Sequence, residues 1–112
     1  CWKNTTEHLM TLTNNQSKGG SAYSMLIPGI RNYMDYPHVA SIACPKPMLF
    51  VNGTKDKLFP IEGVYDAYQI MSDVWSSQQV SENFRTKIYE LPHFCSKDIQ
   101  KDLLDFFNEK LK

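Results

Sequence analysis

The sequence predicts an α/β fold, and three observations carry the prediction. An uninterrupted apolar run, Met48-Leu49-Phe50-Val51, ends in Asn52-Gly53. A long stretch from Ile61 to about Gln79 then places apolar residues at three-and-four spacing, as an amphipathic helix does. An alternating segment from Phe84 to Leu91 follows, and a second amphipathic stretch ends the sequence. Strand, crossover helix and strand in that order make the two strands parallel with a right-handed connection.

The elements follow in chain order. Thr5 to Leu12 has the length and apolar spacing of two helical turns, with Thr5 or Thr6 as N-cap. Thr13 to Ser24 is a polar, non-periodic loop. Residues 1–35 therefore form a poorly defined helix-and-loop segment, and residues 36–112 carry the readable fold. Pro37 suits the first turn of a short helix running through Ile42 and Ala43, which Pro45 and Pro47 then stop. Met48 to Asn52 lacks alternation, as a strand buried on both faces does. Gly53 to Pro60 is a loop, and Pro60 suits the start of the long helix. Val64, Ala67, Tyr68, Met71, Val74, Trp75 and Val80 are that helix's expected core side. Phe84, Thr86 and Ile88 alternate with Arg85, Lys87 and Tyr89, a strand near a sheet edge. Ser96 caps the final helix, and Ile99, Leu103, Phe106, Phe107 and Leu111 form its expected buried stripe.

Composition excludes several functions. Twelve Lys and Arg balance 12 Asp and Glu in 112 residues, so the basic excess of a nucleic-acid binder or a polybasic membrane-surface domain is missing. The 42% apolar and 21% charged fractions are those of a folded globular chain. No apolar stretch approaches about 18 residues, so no transmembrane helix is expected. Residues 1–12 lack the basic start and apolar run of a signal peptide. The first residue is Cys1 rather than Met, which suggests a piece of something longer. Cys1, Cys44 and Cys95 have neither disulfide-framework nor zinc spacing, and His8, His38 and His93 have no metal-ligand spacing. No cofactor or metal is implied, and the compartment stays open.

In parallel sheets, ligand and catalytic groups lie beyond the carboxyl ends of the strands. Asp56 follows the first strand and His93 the second, so both emerge on one rim. Neighbouring strands are about 4.8 Å apart, within reach of a carboxylate–imidazole pair. An aspartate that accepts from one imidazole nitrogen frees the other as a general base. Each residue also has a plainer reading: Asp56 as a turn-shaping loop residue, His93 as a histidine satisfied by backbone. Acid before histidine is the triad order of enzymes whose serine precedes both. Gly19-Gly20-Ser21-Ala22-Tyr23 is the nearest match to a nucleophile elbow, but it lacks the last glycine and the strand–turn–helix context. Cys95 follows the histidine with no flanking activating group. His8 and His38 read as solvent-facing helix residues, Tyr65, Tyr68 and Trp75 as helix core and boundary.

Three stretches carry a family resemblance. They are Asp35-Tyr36-Pro37-His38-Val39-Ala40 with Cys44-Pro45-Lys46-Pro47, the loop Phe50-Val51-Asn52-Gly53-Thr54-Lys55-Asp56-Lys57-Leu58-Phe59-Pro60, and His93-Phe94 before a terminal helix. Together they resemble the C-terminal part of an α/β-hydrolase, nearest the dienelactone hydrolase and acetyl xylan esterase-like branch. The likeness covers residues from about Pro28 to Lys112. It implies a triad acid at Asp56, a base at His93, serine-type ester hydrolysis without cofactor, and a small-molecule or carbohydrate ester as substrate. Two departures stand out. Pro92 replaces the glycine that often precedes the histidine, and the G-x-S-x-G elbow is missing. The expectation is a C-terminal hydrolase portion whose nucleophile lies outside this chain and which is inactive alone. One rival is a non-catalytic lobe that self-associates or pairs with a missing N-terminal portion. Another is a small complete α/β binding domain, which would need four or more paired strands.

Overall fold

The structure, a computed structural model, describes residues 29, 33–57, 59 and 61–111. The expected helix at Thr5–Leu12, the polar loop to Ser24, Cys1, His8, Ser21 and Pro60 lie outside those residues.

The first helix, α1, spans Tyr36–Ala40 and is followed by a 3-10 turn, Ser41–Ala43. Asp35 caps α1 by accepting from the Tyr36 backbone N–H at 2.7 Å, and His38 Nδ1 accepts from the Asp35 N–H in return. This capping box satisfies amide groups that a helix start leaves without partners. His38 is exposed, as expected, and the cap is its local role. The Cys44–Pro45 peptide is cis.

Strand β1 (Met48–Gly53), helix α2 (Ile61–Ser77), a 3-10 turn (Ser81–Asn83) and strand β2 (Phe84–Tyr89) form the parallel β–α–β unit that the periodicity predicts. The register pairs Met48 with Phe84 and Gly53 with Tyr89. The described residues thus hold a two-stranded parallel sheet in a mixed α/β arrangement. Four paired strands, the mark of the complete-domain alternative, are not found among them.

Helix α2 supplies the core. Val64, Ala67, Tyr68, Met71 and Trp75 are buried on one side, with Val74 and Val80 half-buried beside them. Trp75 stacks on Phe84 at 5.2 Å between ring centroids, and Phe50 meets Phe84 at 5.7 Å and Tyr68 at 6.3 Å. The Trp75 indole N–H donates to the Lys46 carbonyl at 3.1 Å, so the large ring is buried without an orphaned donor. The even face of each strand therefore lies against α2. The odd face meets α3 (Lys97–Lys110), where Arg85 pairs with Glu109 and covers the Phe106 ring, and Lys87 pairs with Asp102. The layers run helix, sheet, helix.

Thr86 is exposed and borders a shallow concavity with Tyr65, Tyr68, Gln69 and Ser72 of α2. One expectation about side chains needs correction. On α3, Ile99 and Phe106 are buried and Leu103 is half-buried, but Phe107 is 51% and Leu111 79% exposed. The two described strands make a sheet about 5 Å between strand axes, narrower than the roughly 10 Å diameter of a helix, so among the described residues the sheet does not underlie the whole α3 stripe.

Candidate active site

The carboxyl ends of the two strands are held together by backbone. Beyond the last ladder pair, Thr54 N–H donates to the Tyr89 carbonyl at 2.8 Å and Lys55 N–H to the Leu91 carbonyl at 3.1 Å. The acid loop and the histidine loop therefore continue side by side past the strands. Gly53 permits this. A β-carbon there would lie 2.0 Å from the Leu91 carbonyl oxygen, which is backbone and cannot turn aside. Asp56 N–H then bonds back to the Gly53 carbonyl at 3.3 Å, and that turn aims the carboxylate toward the neighbouring loop. An exposed Lys55–Glu90 ion pair at 2.8 Å bridges the same loops and adds little by itself.

Asp56 and His93 meet on this rim. His93 Nδ1 lies 2.8 Å from Asp56 Oδ2. The environments of the two differ: the Asp56 side chain is only 4% exposed, that of His93 62%. With Nδ1 donating to the carboxylate, Nε2 carries the free lone pair. The Phe59 ring stands 5.9 Å from the imidazole and limits its tilt on one side. Pro92, where the resembled family often has glycine, is accommodated in the loop and the ring still reaches the carboxylate.

The pair borders a concavity of about 510 Å³, within the range of small-molecule sites. Phe50 to Gly53, Phe59 and the loop Leu91–Cys95 form much of its wall. Cys95 is an exposed free thiol there, and Cys44 is half-buried elsewhere. Tyr33 is exposed and, with Tyr36, lies outside this wall. Among the described residues no group of three or more His, Cys, Asp or Glu could hold a metal ion, and no helix is long and apolar enough to cross a membrane.

Sequence reasoning missed three contributors. Gly53 read as half of a turn signal, and its close approach to Leu91 is visible only once the loops pack. Phe59 read as loop. Asn52 read as the strand's end, yet its Oδ1 accepts from the Tyr68 hydroxyl at 2.7 Å. A bond between positions so far apart leaves no local signature in the chain.

Comparison with known proteins gives one relationship to report. The chain is 24% identical over 104 residues to a Bacillus subtilis (strain 168) protein named "Putative hydrolase YtaP", a match covering 93% of this chain and 34% of that protein. The chain thus spans about a third of the length of the curated relative it matches. No family model and no solved structure matches it. This distant likeness relates the chain to a hydrolase.

Proposed function

We propose that these residues form the acid–base part of a serine-type α/β-hydrolase site that hydrolyses carboxylic esters, with acetylated carbohydrate the favoured substrate class. The observation that carries the reading is the 2.8 Å contact between an enclosed carboxylate and an exposed imidazole at the carboxyl ends of two parallel strands. In the mechanism, a serine supplied from outside this chain attacks the ester carbonyl. His93 Nε2 takes the serine proton, and the leaving alcohol later receives it from the same nitrogen. Asp56 holds the ring in the required tautomer and supports the positive charge it acquires. Water then repeats the sequence on the acyl-enzyme and releases the acid.

The test is hydrolysis of an activated acetate ester by the full-length polypeptide that carries these residues. His93→Ala and Asp56→Asn are each expected to lower kcat by about 10⁴-fold or more. The 112-residue chain alone is expected to be inert and to resist a serine-directed phosphonate. Turnover unaffected by His93→Ala, or phosphonate labelling of the isolated chain, contradicts the proposal.

A second reading, a non-catalytic lobe that associates with a second copy, is favoured by one observation. Leu104 and Phe107 on α3 and Leu111 at its C-cap are 63%, 51% and 79% exposed and lie at helical spacing in the sequence. Contiguous exposed apolar surface of this kind favours association. Sedimentation velocity is expected to show concentration-dependent dimerisation, and a monomer at all concentrations rejects it.

A further inference from the structure

Tyr68 lies in the α2 core and reaches across to the end of β1, where its hydroxyl donates to Asn52 Oδ1 at 2.7 Å. Burial pushes the ionisation of this phenol above its ordinary range, so Tyr68 is a neutral donor near neutral pH. The bond occupies the carbonyl end of the Asn52 carboxamide and thereby sets the direction of the other end. Nδ2 makes no hydrogen bond to any described residue, and it is not among the fully buried polar atoms without a partner, so it is not completely enclosed. Asn52 itself lines the concavity together with Asp56, Phe59 and His93. Asparagine is also a poor strand residue, and its neighbours Leu49 to Val51 are apolar. Packing alone favours an apolar side chain at this position.

We propose that Asn52 is a specificity-determining residue. Its amide, clamped by Tyr68, presents one fixed N–H donor beside the acid–base pair and selects esters that carry an acceptor oxygen near the reacting carbonyl. A polyol or sugar ester satisfies that donor, and a plain alkyl ester leaves it unpaired. The inference rests on the hydrolase reading of Asp56 and His93.

Two esters of equal size separate these cases: 2-methoxyethyl acetate, with an ether oxygen, and butyl acetate, with a methylene in its place. The full-length polypeptide is expected to prefer the ether ester by about tenfold in kcat/KM, the weight of one hydrogen bond, expressed through KM. Asn52→Leu removes the donor and is expected to bring the ratio near one. Asn52→Asp, which keeps the acceptor for Tyr68, does the same if the leucine variant does not fold. Tyr68→Phe unclamps the amide and reduces the ratio in part. A wild-type ratio near one, or an unchanged ratio in the Asn52 variants, overturns the inference. His93→Ala separates the two levels. If it abolishes hydrolysis of both esters while the Asn52 variants keep the wild-type ratio, only this inference fails. If it leaves hydrolysis intact, the hydrolase reading fails.

Discussion

The tightest constraint in the site is a hydrogen atom, the missing side chain of Gly53. The contact with the Leu91 carbonyl is backbone against backbone, so an alanine must push the two loops apart. Gly53→Ala is expected to cost about 1–3 kcal/mol and to disrupt the Asp56–His93 contact. Thermal melting measures the first effect and the ¹⁵N chemical shifts of the His93 ring the second, and a variant that keeps both unchanged contradicts the packing account. Tyr89 makes the opposite case. Its hydroxyl is buried without a partner among the described residues. Burying such a group costs free energy, so Tyr89→Phe is expected to be neutral or to stabilise by about 1 kcal/mol in a thermal melt. At this scale the contact between Asp56 and His93 was legible because both follow parallel strands and emerge on one rim. Asn52, Tyr68 and Gly53 were not, since their roles exist only between segments distant in sequence.

Helix ends and helix faces show how far local pattern reaches. Helix α2 ends with Gln79 at φ 59°, in the left-handed region that glycine enters at least cost. Gln79 N–H bonds the Ser76 carbonyl and Val80 N–H the Trp75 carbonyl, the paired bonds of a Schellman end, with Val80 packed against the core. Gln79→Gly keeps those bonds, relieves the backbone, and is expected to stabilise by about 1 kcal/mol on chemical denaturation. Helix α3 is tied to the sheet by the Arg85–Glu109 pair, whose guanidinium holds the Glu109 carboxyl below its ordinary 4.5. A lowered carboxylate pKa contributes stability above the ordinary value and loses it as pH falls through the folded one. The small melting-temperature loss from Arg85→Ala at neutral pH is therefore expected to shrink as pH falls through the depressed Glu109 carboxyl value, and to shrink with salt. The periodicities that define these elements were legible. The exposure of Phe107 and Leu111 was not, because a helical stripe says which side is apolar and not how wide the surface opposite it is.

At the scale of the whole molecule, one parallel β–α–β unit brings Asp56 and His93 together beyond the carboxyl ends of its strands. The described contributors are the ladder that continues into the loops, the glycine that lets them touch, and the turn that aims Asp56. The match to the protein named "Putative hydrolase YtaP" covers 93% of this chain and 34% of that protein. The rim could be located from strand order alone. The substrate's chemistry could not, because it depends on which polar groups packing leaves facing the concavity. The most direct measurement is the ¹⁵N NMR assignment of the His93 ring in this chain above the imidazole titration. The account predicts the proton on Nδ1 with Nε2 bare, and loss of that preference in Asp56→Ala. A ring protonated on Nε2, or one indifferent to Asp56, contradicts it.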